Sequence, residues 1–294
     1  MPLSAAVKAD LTLVLVTLLA GVGWIFSKEA LAGIAPITFI FLRFTSGGLV
    51  LAAAGHKQLA AMSSQSWGRA IRSGLSFGVA MTFWILGLKY GQHLGVGAFL
   101  TSLGAVLVPV VGWFMGDKPA RSAWVSVAIA ALGLACLSLD GNFVFGLGEL
   151  SFLMAALLFS FTFVLTSRAA AMTPAVALSS IQLLMVGLVA LPVLLLMETW
   201  QLPSAVDIWL WVGLSVVLAT CGRFFLQVWA QGKTSPSSAA VIMVLEPVWT
   251  ALLAAAWFGE QTTPMQLVGC VLIFVALLAS RWRAVLAVAR KLLP

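Results

Sequence analysis

Apolar runs separated by Gly, Pro and charge recur from one end of the chain to the other. They predict ten spans, at about 10–31, 36–54, 70–90, 94–116, 120–139, 149–168, 174–197, 206–230, 236–258 and 264–283. Each is near the roughly 20 apolar residues that carry a helix across a bilayer. Most connections hold fewer than ten residues, so successive helices are expected to pack as antiparallel neighbours. The polar segment His56–Trp67 is the longest interruption, and nothing remains for a soluble domain. The first run, Leu11 to Phe26, ends in no convincing small-residue cleavage site and is read as a retained helix. The fold class expected is all-α, a polytopic membrane protein.

Composition sharpens this. Of 294 residues, 62% are hydrophobic and 9% charged, against roughly 25% charged in soluble domains. Such a chain cannot coat a soluble globule, which excludes a water-soluble enzyme. The formal charge of +7 does not signal nucleic acid, because the 16 basic residues are scattered in ones, twos and threes rather than clustered. Their placement instead gives an orientation. With the N-terminus inside, alternate loops collect Lys8, Lys57, Arg69, Arg72, Lys118, Arg121, Arg168 and Lys233, and the tail adds Arg281, Arg283, Arg290 and Lys291. The opposite side receives only Lys28 and Lys89. Glu29, Asp140, Glu149, Glu198, Asp207 and Glu260 fall outside with them. This asymmetry predicts both termini on the cytoplasmic side and an even number of spans. Cys136, Cys221 and Cys270 sit in apolar segments as small hydrophobes and form no CxxC pair.

The two halves resemble each other. Residues 97–104 fall on 240–247 at a shift of 143, and the same shift brings Gly116-Asp117 onto Gly259-Glu260. A shift near 138 matches Pro36 to Pro174 and sets Arg43 one place from Gln182. The expected domains are therefore two five-helix repeats, 1–143 and 144–294. Five is odd, so the second repeat enters the membrane upside down relative to the first. Inverted repeats around a midplane site are the architecture of secondary transporters.

On these residues the chain resembles the drug/metabolite transporter superfamily, specifically its ten-helix EamA-type members. The resemblance rests on Trp24 to Lys28, Pro36 with Arg43, Leu245-Glu246-Pro247, Gly259-Glu260 and the doubled layout. Among these members it is most similar to bacterial amino-acid exporters of the YddG type. It implies a carrier that exports amino acids or other small metabolites, driven by a proton or substrate gradient. One departure is that the first half has Leu103-Gly104 where the second has Glu246-Pro247.

Charge at bilayer depth is costly and usually faces a cavity or a partner. Glu246, about ten residues from either end of the ninth span, is the leading candidate for a substrate-ammonium or proton site. Pro247 follows it and predicts a kink; Pro109 is a second hinge candidate. Arg43 and Arg223 are candidates for a substrate carboxylate, and an ion pair of either with Glu246 is the competing reading. Trp24, Thr82, Phe83, Phe99, Ser160 and Phe163 are candidates for the wall of an aromatic cavity. Gln182 needs a partner in hydrocarbon, most often another helix. His93 opens the fourth span and titrates in the range of a proton sensor.

Other patterns carry no chemistry. Gly74 to Gly78 fits GxSxG, but a nucleophile elbow requires a strand–turn–helix context, so it reads as small-residue helix packing. Gly112 to Gly116 is read the same way. There is no HExxH, phosphate-cradling loop or metal cage, so no cofactor and no metal are expected and transport must be secondary. The partners expected are a small-molecule substrate, membrane lipid and protons, with the monomer as the working unit in a bacterial inner membrane. A drug or nucleotide-sugar exporter is the near rival, and the latter would want paired basic residues in its cavity. An intramembrane enzyme lacks an acid–base pair, and a channel or scaffold would show no saturable flux.

Overall fold

A computed structural model describes residues 5–90, 94–138, 146–259 and 264–280, and among these the regular structure is entirely helical. The helices are α1 (Ala5–Ala30), α2 (Pro36–Ala54), α3 (His56–Ala60), α4 (Ser64–Tyr90), α5 (Leu94–Phe114), α6 (Arg121–Ser138) and α7 (Leu147–Ala170). They continue with α8 (Ala175–Met197), α9 (Val206–Val216), α10 (Arg223–Gln231), α11 (Pro236–Met243), α12 (Glu246–Phe258) and α13 (Pro264–Ser280). A π-helical segment, Val217–Gly222, joins α9 to α10 without a break.

Seven helical stretches among the described residues are long and apolar enough to cross a membrane. They are Ala5–Ala30, Pro36–Ala54, Ser64–Gly87, Leu147–Ala170, Ala175–Met197, Val206–Gln231 and Pro236–Phe258. Leu100–Phe114 and Arg121–Gly133 are shorter apolar helices, and α13 has 17 residues. The protein is an all-α polytopic membrane protein, with helix at each of the ten predicted places.

The departures from expectation have local causes. The interruption after α2 is not irregular throughout, for it holds α3, and α4 begins at Ser64 rather than near residue 70. The Ser63 hydroxyl accepts from the Ser66 amide at 3.3 Å and starts the helix in polar residues before its apolar run. Gly112 to Gly116 is not a packing stripe. Gly116 has φ +91° and ends α5, with the Asp117 amide bonded to the Gly112 carbonyl at 2.8 Å and the Gly116 amide to Trp113 at 3.0 Å. That is the double bond of a Schellman turn, which needs a residue tolerant of the left-handed region. Gly259, φ +67°, ends α12 and is the other positive-φ glycine among the described residues.

Packing is set by small residues. α4 lies against α7 and α8, α2 against α8, α5 against α7, α6 against α13, and α1 against α12, α10 and α9. A Cβ at Gly74 would stand 2.8 Å from Met185 Cβ, and one at Gly78 2.8 Å from Val189 Cβ, so both glycines admit α8. Small residues promote such contact because helices in lipid associate by close approach rather than by hydrophobic burial. One end of this core is tied by Glu198, just past α8. Its carboxylate accepts from the Ile37 and Thr38 amides, each at 2.9 Å, and from the Thr38 hydroxyl at 3.0 Å. Those amides are orphan donors of the first turn of α2, where the helix dipole also favours negative charge.

α2 and α8 approach closely at Gly48, where a Cβ would lie 2.9 Å from the Leu184 amide nitrogen. Backbone cannot move aside, so Gly48→Ala is expected to lower stability by about 1–3 kcal/mol. Thermal unfolding of the purified protein in detergent measures it, and an unchanged midpoint would contradict this account of the contact.

Candidate functional site

The site is built where α1, α2, α10 and α12 meet. Through Val217–Gly222 the helix widens, and the Arg223 amide bonds to the Leu218 carbonyl five residues back. A π turn carries one residue more than an α turn, leaves carbonyls offset from the regular ladder and recurs at functional sites. Here the Ala219 carbonyl accepts from Arg43 Nη2 at 3.0 Å, and Thr220 Oγ1 accepts from Arg43 Nε at 2.6 Å. From α1, Ser27 Oγ accepts from Nη1 at 3.0 Å while donating to the Gly23 carbonyl at 2.6 Å. Arg43 is thus held by three neutral acceptors from two helices. Gly23 permits the approach, for a Cβ there would stand 2.7 Å from Ala219 Cβ.

The ninth predicted span is broken at its polar centre. α11 ends at Met243, and Glu246-Pro247 opens α12. Glu246 Oε2 accepts from Arg223 Nη2 at 3.1 Å, and Oε1 accepts from Trp24 Nε1 at 3.3 Å. The side chains of the pair are 18% and 24% exposed, so the ion pair is shielded but reachable. Arg43 lies beside this pair, held by Ala219 and Thr220 just before Arg223 and by Ser27 one turn from Trp24. Two guanidiniums and one carboxylate therefore form a single cluster with positive charge in excess. The Arg223 guanidinium also stands 4.8 Å from the Phe224 ring centroid.

Aromatic rings wall this cluster. Trp24, 40% exposed, meets Trp84 edge-on at 6.2 Å and 71°. Phe44, Phe77, Phe159 and Phe224, from four helices, interlock at centroid distances of 5.5–6.0 Å.

Of the residues singled out from sequence, Glu246, Arg223, Trp24 and Arg43 come together. Others are engaged elsewhere. Gln182 Nε2 donates to Ser73 Oγ at 2.6 Å and to Thr166 Oγ1 at 2.7 Å, which makes it a buried clamp among α4, α7 and α8. Thr82 bonds back to the Gly78 carbonyl, and the fully buried Ser160 to that of Leu157. Phe163 packs into apolar core beside α11, and Phe83 is half-buried on α4. Pro109 sits inside an unbroken α5, whereas at Pro247 the helix restarts. His93 and the side chain of Phe99 lie outside the described residues.

The EamA-like transporter family matches residues 7–139 and again residues 146–282. The chain belongs to this family. It is accordingly a transporter and not an enzyme. An uncharacterized transporter of Archaeoglobus fulgidus is 28% identical over 92% of this chain and 84% of its own length. The uncharacterized transporter YwfM of Bacillus subtilis is 28% identical over 65% of this chain; the match spans 64% of YwfM. A solved crystal structure of a protein superposes with TM-score 0.78 at 20% identity, covering 93% of this chain and 98% of that one, a likeness of fold alone.

Sequence reasoning placed Trp84 and Phe159 beside Trp24 in an aromatic wall but missed Thr220, Ser27 and the Phe44–Phe77–Phe224 contacts in this EamA-family site. The signal available was the small-residue run Ala219 to Gly222 directly before Arg223, which admits a close neighbour but does not name one.

Removing one member of the ion pair strands the other in an apolar slab. Arg223→Met is expected to destabilise by about 2–4 kcal/mol, below the full buried-pair cost because part of each side chain is exposed. Adding Glu246→Gln to it should recover most of that loss. Thermal unfolding of the two single variants and the double variant gives the coupling; additive losses would mean that the pair does not act as one unit.

Proposed function

We propose that this EamA-family protein is a secondary transporter that exports small metabolites, foremost neutral or aromatic amino acids. It works by alternating access between two inverted five-helix halves, 1–143 and 144–294. Ten crossings leave both termini in the cytoplasm of a bacterial cell, across its inner membrane.

The observation that carries this reading is the Arg223–Glu246 pair, joined by the Trp24 indole and flanked by Arg43. A zwitterion presents one carboxylate and one ammonium, and the cluster offers a partner to each. Its excess of guanidinium attracts the carboxylate first, and the Trp24–Trp84 edge gives apolar or aromatic side chains a surface. Opening a shielded ion pair to receive the opposite charges of a solute exchanges one set of charge-assisted bonds for another. Such an exchange is a low-barrier way to bind and release. Protons are a candidate coupling ion at Glu246.

Two features support the inverted repeat. The shift of 143 superposes Gly116 on Gly259, the positive-φ glycines that each end the fourth long helix of a half. The packing scheme also maps onto itself when halves are exchanged. α4 on α7 answers to α1 on α9–α10, α5 on α7 to α1 on α11–α12, and α2 on α8 and α6 on α13 answer to themselves. Inverted halves meeting at a midplane site are suited to rocking between two accessibilities.

Counterflow in proteoliposomes loaded with single unlabelled amino acids is the test. Saturable uptake of a labelled neutral or aromatic amino acid is expected, falling at least about tenfold in Glu246→Gln while the protein still folds. No saturable exchange with any amino acid would defeat the substrate assignment. Full exchange in the Glu246 variant would remove that residue from the site.

A further inference from the structure

α10 carries a polar stripe that the ion pair does not account for. Arg223, Gln227 and Gln231 recur at every fourth residue, which stacks them on one face of the helix. The rest of α10, Phe224, Phe225, Leu226, Val228, Trp229 and Ala230, is apolar. Arg223 Nε, Gln227 Oε1 and both amide atoms of Gln231 are buried without a hydrogen-bond partner among the described residues. Gln231 is 1% exposed. Gln182 is a useful contrast, for its buried amide has two hydroxyl partners. Buried polar groups in native proteins are paired with protein, water or ligand, so a row of unpaired ones marks a face that is wetted in use.

The direction of the stripe is informative. Eight residues at 1.5 Å rise carry it about 12 Å from Arg223 to Gln231, most of a half-bilayer of roughly 15 Å. It starts at the carboxylate of Glu246 and ends at the turn before Ser235. Beside that turn is a cleft of about 410 Å³, lined on one side by Ser235, Ser237 and Ser238 and on the other by Asp117, Lys118 and Ser122. Arg168 holds the far wall in place, donating to the Met115 carbonyl at 2.7 Å and to Asp117 at 3.0 Å. The volume suits a small polar solute.

We infer that the Arg223–Gln227–Gln231 face lines the translocation route between the ion pair and this cleft. Gln227 and Gln231 supply successive hydrogen-bond partners to a zwitterionic solute and its water. A glutamine amide both donates and accepts, so it serves carboxylate and ammonium alike without a charge that would hold either too long. The inference rests on the proposed transport function, but its first test does not need a substrate.

That test is thiol labelling of the full chain in proteoliposomes, with Cys136, Cys221 and Cys270 replaced by Ser. Gln227→Cys and Gln231→Cys are compared with Val228→Cys on the apolar side, using the hydrophilic reagent 2-aminoethyl methanethiosulfonate. Both stripe positions should react at least about tenfold faster than Val228→Cys, and equal rates would overturn the route. In the second test, Gln227→Leu and Gln231→Leu should each cut counterflow about tenfold with no loss of thermal stability. Undiminished counterflow in both would overturn the route as well. Should the parent protein show no amino-acid counterflow, the proposed function fails and labelling alone decides the route.

Discussion

A polar group inside an apolar slab must find its partner on another helix, and most of the specific geometry of this protein follows from that requirement. Glu246 is met by Arg223 and Trp24, Arg43 by Ser27, Thr220 and the Ala219 carbonyl, and Gln182 by Ser73 and Thr166. Each set draws on at least two other elements, so each fixes a helix crossing. Apolar contact is nondirectional and lipid competes for it equally well. The few polar contacts therefore choose among packings that hydrophobicity leaves nearly equal in energy.

Meeting the requirement costs helical regularity, and the irregularities fall where the charges are. The π turn at Val217–Gly222 turns main-chain oxygen toward Arg43. The break before Glu246-Pro247 puts a carboxylate at a helix start, where the dipole favours it. Away from the cluster the helices approach through glycines, as at Gly48, Gly74 and Gly78, and stay regular. Close-packed contact zones around an irregular centre are compatible with the rocking motion proposed above, because strain concentrates where helical bonds are already offset.

The helices were legible in the sequence because run length and charge alternation report crossings directly, and the predicted bounds of α2 coincide with the observed Pro36–Ala54. Glu246, Arg43 and Arg223 were legible as candidates because charge is so rare within the spans. Which arginine pairs with Glu246 was not, since both lie at similar depth. That choice is made by α1 packing against both α10 and α12, a tertiary fact with no local signature. The neutral partners of Arg43 were hidden for a related reason: Ser, Thr and a backbone carbonyl have no distinctive pattern until the helices are docked. Gly112 to Gly116 shows the reverse error, in which a spacing shared by helix packing and helix termination was assigned to the former.

The two proposed halves have diverged at the position that matters most. Where the second half has Glu246-Pro247, the first has Leu103-Gly104 inside the continuous α5. A Cβ at Gly104 would stand 2.9 Å from the Ala156 carbonyl oxygen, so this position serves close packing on α7. Its counterpart serves a charge and a break. A symmetric pair of carboxylates would have required two guanidinium partners and two unwound helices around one cavity, with the desolvation of both to offset. Keeping one half tightly packed confines the electrostatic cost to one side and leaves a single asymmetric cluster. An asymmetric cluster can tell the carboxylate end of a solute from its ammonium end. For the zwitterionic solute proposed above, that orientational discrimination would be an advantage a perfect internal repeat could not provide.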